Sequence, residues 1–319
     1  MTDTYKAAKW QEFVLLGLLV VAGIAILVRN VESSDPAYAS ALPQLTFKTP
    51  GEAASALATA AKNEDGKALE QILGGATKAL LNAGDKELDK SAMDAFAVKY
   101  QQMNRWVDMS DGSRVLYIGA DNFAFPLPLA KNPAGQWYFD SVAGAEELRA
   151  REIGRNELLA IDACSALATA QEVYFNEAGE TPQYAQRIIS TPGNHDGLYW
   201  PSSEGDVVSP VGHLSQFPAA SLASITPGKP FVIDGYAFRI LTAQGDDARD
   251  GARDYIENER MTGGFAILAT PVKYAETGIM TFIISREGMV YERDFGPDTV
   301  KLAGAIQQYN PDENWSLVE

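Results

Sequence analysis

The first strong pattern along the chain is an unbroken apolar or small run of 16 residues, Phe13 to Val28. Lys6 and Lys9 precede it, Trp10 stands at its edge and Arg29 closes it. As a helix the run spans about 24 Å at a rise of about 1.5 Å per residue. That is short for a membrane crossing and long for a cleavable signal core. With Trp10, Gln11 and Arg29 as interfacial residues, residues 10–29 are expected to form a retained single-pass anchor in the inner membrane. The lysines place the N-terminus in the cytoplasm and everything after Arg29 in the periplasm. The alternative is cleavage at the small-x-small site Ala37-Tyr38-Ala39, which would leave a secreted protein.

From Thr49 the pattern is helical. Thr49 can cap, Pro50 takes the first helical position, and Glu52 lies in the first turn. Ala53, Ala56, Leu57 and Ala60 recur at helical spacing. Further helices are expected over Lys67–Leu73, over about 76–83, and over Asp85–Trp106, the last with Leu88, Ala92, Phe96 and Tyr100 in line. Alternation then replaces helical spacing. Arg114–Ile118 follows the turn Asp111-Gly112, and Ala124–Lys131 pairs with Gln136–Val142 around Asn132–Gly135.

Ala145–Asn176 contains no Pro and one Gly, and reads as one or two long helices with Leu158, Ile161, Leu167 and Tyr174 on the apolar stripe. Cys164 falls on that side and is expected to be a small buried residue. Thr191–Gly197 is a dense turn signal, and Pro201–Gly212 a further loop. Four antiparallel strands follow, Phe231–Thr242, Gly264–Pro271, Gly278–Ser285 and Met289–Asp294, with Glu287-Gly288 as the last turn. Pro297–Tyr309 closes the chain as a helix. The fold class is therefore α+β in two modules, 41–144 and 145–319, behind an N-terminal segment of residues 1–40 that holds a single transmembrane helix.

The Pro-Glu-Ala-Ala type opening helix and the Gly135-Gln-Trp-Tyr-Phe139 strand resemble the nuclear transport factor 2-like cone. The long helix, irregular loop and sheet of the second module resemble type IV pilin and pseudopilin globular domains. That likeness includes Ala168-Thr-Ala-Gln-Glu-x-Tyr174 and Ala269-Thr-Pro-Val272. Gly17 is followed by Leu18, not Phe, and no Glu follows within the run, so a pilus subunit is not expected. A likeness spanning nearly all of residues 45–319 is carried by many segments in order. They include Phe47-Lys-Thr-Pro-Gly-Glu-Ala53, Ile153-Gly-Arg-Asn-Glu157, Ser190-Thr-Pro-Gly193, Asp196-Gly-Leu-Tyr-Trp-Pro201, Gly263-Gly-Phe-Ala266 and Asp294-Phe-Gly-Pro-Asp298. On these the chain resembles the bacterial domain-of-unknown-function family 2950. The resemblance implies an exported protein and no assigned activity.

Composition narrows the chemistry. The net charge is −16, with 26 basic and 42 acidic side chains, which argues against a nucleic-acid partner. Residues 151–319 carry 12 basic and 24 acidic side chains, so this part would stand off anionic lipid and could dock a protein partner with a basic surface. One cysteine allows no internal disulfide, and two histidines leave little for a histidine-ligated metal.

Two polar clusters stand out. Arg151, Arg155, Asn156 and Glu157 on the long helix, with Tyr184, Arg187, His195, Asp196, Tyr199 and Trp200 after it, could meet an anionic or carbohydrate-like ligand. The same groups could equally satisfy an interdomain seam. Asp246, Asp247, Asp250 and Asp254 could hold calcium, the one cofactor considered, with Arg249 and Arg253 compensating part of the charge. No nucleophile elbow occurs and no catalytic residue is nominated. The expectation is a non-enzymatic, membrane-anchored periplasmic binding or scaffold protein, an accessory subunit of a larger envelope complex. The alternatives are an exported hydrolase of envelope polymer, working through Arg155, Glu157, His195 and Asp196, and a calcium-bound pseudopilin-like module.

Overall fold

A computed structural model describes residues 43–75, 86–178, 182–202, 207–217, 222–223 and 225–318. The expected anchor, the cleavage site and the helix expected over 76–83 lie outside these residues. Among the described residues no helix is long and apolar enough to cross a membrane. The chain forms two compact units, Met1–Arg151 and Glu152–Glu319. Both are α+β with antiparallel sheets.

The first unit begins with α1 (Pro50–Lys62). Its start is capped on both sides: Thr49 Oγ1 accepts from Glu52 N, and Glu52 Oε2 reaches back to accept from Lys48 N, one residue before the cap. α1 buries Ala53, Ala54, Leu57, Ala60 and Ala61. α2 (Gly66–Leu73) is capped by Asp65, and α3 (Lys86–Gln102) follows. The expected continuation of α3 to Trp106 is not made. Asn104–Asp108 is instead β1, paired residue for residue with β2 (Arg114–Ile118). Trp106 and Val107 favour a pleated, half-buried surface, and Gly112 at φ +85° closes the hairpin. β3 (Phe123–Ala124), β4 (Leu129–Lys131) and β5 (Trp137–Phe139) complete a sheet of order β1-β2-β4-β5, with β3 on β2. Leu116, Ile118, Leu129 and Phe139 form its fully buried centre.

α4 runs unbroken from Ser141 to Val173 and ends in a π-helical segment, Tyr174–Ala178. The boundary expected at residues 144/145 lies seven residues later. Leu148 is part of the first core, and Arg151 Nη1 donates to Ala124 O at 2.9 Å, so the opening turns of α4 belong to the first unit.

The second unit holds a six-stranded sheet of order β15-β14-β13-β12-β7-β6 where four strands were expected. The expected strand Phe231–Thr242 is a hairpin of β6 (Phe231–Ile233) and β7 (Tyr236–Leu241). Asp234 and Gly235 both adopt positive φ, +46° and +79°, the two-residue turn that an Asp-Gly pair favours. β8 (Ala243–Gln244) pairs with β9 (Arg253–Asp254), and β10 (Ile256–Glu257) with β11 (Arg260–Met261). Then come β12 (Ala266–Pro271), β13 (Met280–Ser285), β14 (Val290–Asp294) and the edge strand β15 (Ser316–Leu317). The closing helix is shorter than expected: a 3-10 turn at Gly296–Asp298, then α5 (Thr299–Ala305). Arg239 Nη2 donates to the end carbonyls of Ala303 and Ile306. Tyr309 is drawn off into backbone bonds with Ala243 and Gly245.

Alternation along the strands assigns the two faces of the sheet. Arg239, opposite Leu268, belongs to the face that α5 covers. Tyr236, Phe238 and Phe282 belong to the other, where Glu157 and Cys164 of α4 lie beside Tyr236; the buried residues of α4 include Ala160, Ala163, Cys164, Leu167 and Ala170. This corrects the expected stripe, because Leu158 is 67% exposed. Leu167 and Tyr174 are buried and Ile161 packs against the core as expected, but the face is otherwise made of small residues that let the helix backbone approach the sheet closely, and Leu158 lies outside it. Burial also raises the Cys164 thiol well above its usual range, so it is an inert core residue. Leu167→Ala is expected to cost about 2–5 kcal/mol, and Leu158→Ala less than about 0.5 kcal/mol, in denaturant unfolding. Similar losses from both would contradict the assignment of the face.

Candidate functional site

The connection between α4 and the sheet is irregular yet largely buried. Tyr184, Ala185, Ile188, Leu198, Trp200, Val211 and Phe217 all enter the core of the second unit. Backbone polar groups in such a segment need partners. Gln171 on α4 supplies two, accepting from Ala185 N and donating to Ala185 O. Ile188–Ser190 and Leu198–Tyr199 run side by side as a short parallel ladder, with Ser190 N on Tyr199 O and Tyr199 N on Ile188 O, both at 2.8 Å.

The segment between these rungs is a closed turn. Thr191-Pro192-Gly193-Asn194 bends with Gly193 at φ +80°, and Asn194 N donates to Thr191 O. This is the Pro-Gly arrangement of a type II turn. Asp196 ties it shut: Oδ1 accepts from Thr191 N at 2.7 Å and Oδ2 from Thr191 Oγ1 at 3.0 Å. Arg187 Nε stands 3.5 Å from Oδ2. Gly197 permits the close approach, since a Cβ there would lie 2.8 Å from Ser190 N and 2.9 Å from Ile189 C.

Aromatic rings hold this turn by their polar ends. Tyr174 OH donates to His195 O, Tyr199 OH to Leu222 O, and Trp200 Nε1 to Val207 O. The His195 ring stacks on Trp200 with centroids 4.2 Å apart and planes at 15°. The result is a cleft of about 340 Å³ whose walls include Pro192, His195, Tyr199, Trp200, Pro201, Ile225 and Pro227. Its surface is made chiefly of rings and aliphatic carbon, because the polar atoms beneath are already bonded. Burial raises the Tyr174 and Tyr199 phenols, with the Asp196 charge adding to the effect on Tyr174. Both therefore remain hydrogen-bond donors.

The ten residues singled out in the sequence do not form one site. Arg151 belongs to the first unit, where Nε pairs with Glu147 at 2.8 Å and the guanidinium lies over Phe123. Asn156 and Glu157 fasten α4 to the loop before β13: Asn156 Nδ2 donates to Thr277 O, and Glu157 Oε1 accepts from Ile279 N and Met280 N. Arg155 Nη2 donates to Asn156 Oδ1, and Arg155 Nε is buried with no partner among the described residues. Tyr184 packs on Phe175 and Phe265, and its hydroxyl donates to Glu172. Of the ten, His195, Tyr199 and Trp200 line the cleft, and Asp196 with its ion partner Arg187 secures the turn beside it. Sequence reasoning missed Tyr174, Ser190 and Thr191 as builders of it and Ile225 and Pro227 as walls. The Thr191–Gly197 turn signal was the available clue.

The acidic residues also disperse. Asp247 exchanges bonds with Asn310, and Asp254 Oδ1 accepts from Ile256 N. Asp246 and Asp250 lie on the same turn, Asp250 at φ +68°. Among the described residues no group of three or more His, Cys, Asp or Glu side chains converges as a metal site.

These features define a two-unit α+β protein with an aromatic, proline-walled cleft on a buried connection. The chain belongs to the family described as Protein of unknown function (DUF2950), whose model matches residues 44–318. No curated protein and no solved structure matches it.

Burial opposes ionisation of Asp196, but the hydrogen bonds from Thr191 and the Arg187 charge outweigh it and hold the carboxyl below its ordinary value of 3.8. A group with a lowered folded pKa contributes stability that is complete above its unfolded pKa and is lost as pH falls through the folded value. In an acid titration the Thr191 amide resonance is expected to step below pH 3.8, and Asp196→Asn to abolish the step. A step at or above that pH would contradict the assigned bonding.

Proposed function

We propose that this is a non-enzymatic binding or scaffold protein of the bacterial envelope. The apolar segment at residues 10–29 holds it to the inner membrane, and the family-matched region acts in the periplasm as an accessory subunit of a larger complex. The observation that supports this is the state of the polar groups around the cleft. Asp196, Tyr174, Tyr199 and Trp200 are all bonded within the protein itself. What the cleft offers outward is stacked and aliphatic surface, which suits the apolar or aromatic group of a docking partner. The surplus of acidic side chains in residues 151–319 favours a partner whose surrounding surface is basic.

The hydrolase alternative draws little from the geometry. Glu157 binds the amides of Ile279 and Met280, whereas Asp196 binds Thr191 and Arg187, so the two carboxylates serve different segments. For the finer fold, three helices followed by an antiparallel sheet support a cone-like first unit of the nuclear transport factor 2 kind. A helix on an antiparallel sheet supports the pilin-like reading of the second unit only at that level.

The test is a photo-crosslinking amino acid at the exposed cleft wall, in place of Pro201, in the full-length protein in its native membranes. One major adduct with an envelope protein is expected, strongly reduced by His195→Ala, which removes half of the ring stack and leaves the buried Trp200 in place. No adduct, or an adduct that His195→Ala leaves unchanged, would overturn docking at the cleft. Intact-mass measurement of the same preparation addresses the anchor: a chain starting near Met1 supports it, and one starting near Ser40 overturns it.

A further inference from the structure

A second cleft in the same unit has the opposite character. It encloses about 360 Å³ between the β8–β9 hairpin and the turn after β13, and three arginines line it: Arg249, Arg253 and Arg286. Residues 151–319 hold only 12 basic side chains in all, so this is a marked local concentration in an acidic region.

Gln244 organises the site. It is 5% exposed, and its amide is fully bonded. Nε2 donates to the carbonyls of Arg249 and Gly251, each at 2.7 Å, which pins the turn that carries Arg249. Oε1 accepts from Tyr255 OH at 2.9 Å and from Arg253 Nη2 at 3.3 Å. The Arg253 guanidinium is thereby held over the Tyr255 ring, 5.6 Å from its centroid. Gly264, at φ +141°, keeps this corner open, because a Cβ there would lie 3.2 Å from the Tyr255 ring and 3.7 Å from Arg253 Nη2.

The arginines are poorly neutralised. Among the described residues Arg253 makes no ion pair. Arg249 reaches Glu287 at 3.7 Å and Arg286 reaches Glu172 at 3.3 Å, each through one nitrogen. A guanidinium carries five N–H donors in a planar fork that matches carboxylate or phosphate oxygens in pairs. Most of those donors are unused here. Burial pushes the flanking phenols of Tyr255 and Tyr309 up to about 12, so neither adds negative charge at neutral pH. Asp250 on the rim is the one carboxylate of the lining besides Glu287, and it opposes an incoming anion.

We infer that this cleft binds the carboxylate or phosphate group of a small molecule, with Arg253 as its central contact and Arg249 and Arg286 as its flanks. The reversal from the sequence is specific. There, Asp246, Asp247, Asp250 and Asp254 were the ligand set and Arg249 and Arg253 their compensation. In the fold, the arginines line the cleft, Asp247 is tied to Asn310 and Asp254 to its own turn.

The experiment is calorimetric titration of the full-length protein in mild detergent with succinate and, separately, with inorganic phosphate, at low ionic strength because salt screens such contacts. Saturable one-site binding of at least one probe is expected, and the tighter probe tells a carboxylate site from a phosphate site. Arg253→Gln should weaken it at least about tenfold, with Arg253→Lys in between, because lysine keeps the charge and loses the fork. Asp250→Asn should tighten it severalfold, at a positive-φ position that Asn tolerates well. No saturable binding of either probe, binding insensitive to Arg253→Gln, or binding weakened by Asp250→Asn would overturn the site.

Discussion

A buried irregular segment must satisfy its own backbone, and the connection between α4 and the second sheet is shaped by that requirement. An unpartnered backbone group in the interior costs about 1–3 kcal/mol. A connection that covers core with Tyr184, Leu198 and Trp200 would accumulate several such losses without compensation. The parallel rungs at Ile188–Ser190 and Leu198–Tyr199, the Asp196 clasp on Thr191 and the ring-to-carbonyl bonds of Tyr174, Tyr199 and Trp200 meet the requirement together. The cleft is a by-product of this economy. Once these polar atoms are bonded, the exposed His195 ring over the buried Trp200, the half-buried Tyr199 and the prolines are what the cleft presents.

The two clefts of the second unit thus have complementary chemistry. The first has the polar groups of Tyr174, Asp196, Tyr199 and Trp200 bonded to the fold and offers chiefly rings and aliphatic carbon. The second has Gln244 bonded to the fold so that Arg253 is held and yet left without a carboxylate. In each, one side chain satisfies a turn: the half-buried Asp196 carboxylate clasps Thr191 at the first, and the buried Gln244 amide pins the Arg249–Gly251 turn at the second. Sheet geometry supplies the frame. β12 is paired on both edges and almost wholly buried, with α4 and α5 on opposite faces of the sheet.

Much of the fold was legible where local chemistry and tertiary demand agree. The Thr49–Pro50–Glu52 start of α1, the Asp111-Gly112 and Asn132–Gly135 turns, the long α4 and the central strands follow from capping, turn residues and periodicity. The misses have physical causes. Asn104–Trp106 read as the end of the preceding helix because no breaker separates them, and only the β-forming Trp106 and Val107 mark the change. The Asp234-Gly235 turn is short enough to read as one strand. Leu158 looked like core because large apolar residues usually are, whereas the face α4 buries is Leu167 among small residues, Ala160, Ala163, Cys164 and Ala170. For the site, the turn signal at Thr191–Gly197 was visible, but the partners of each polar group were not. Hydrogen bonds between residues far apart in sequence, such as Asn156 to Thr277 or Asp247 to Asn310, separate a satisfied structural group from a free one.

The connection around Thr191–Trp200 is a pre-built element tied into the core by its own hydrogen bonds, not a loop that orders on binding. Amide hydrogen exchange on the unliganded protein tests it most directly. The amides of Ser190, Thr191, Gly197, Leu198 and Tyr199, each donating to a named acceptor, are expected to be protected to the level of the central strand Ala266–Pro271. Exposed neighbours such as Gly193 should exchange freely. Rapid exchange across the whole of residues 190–199, at the rate of an open loop, would contradict the claim.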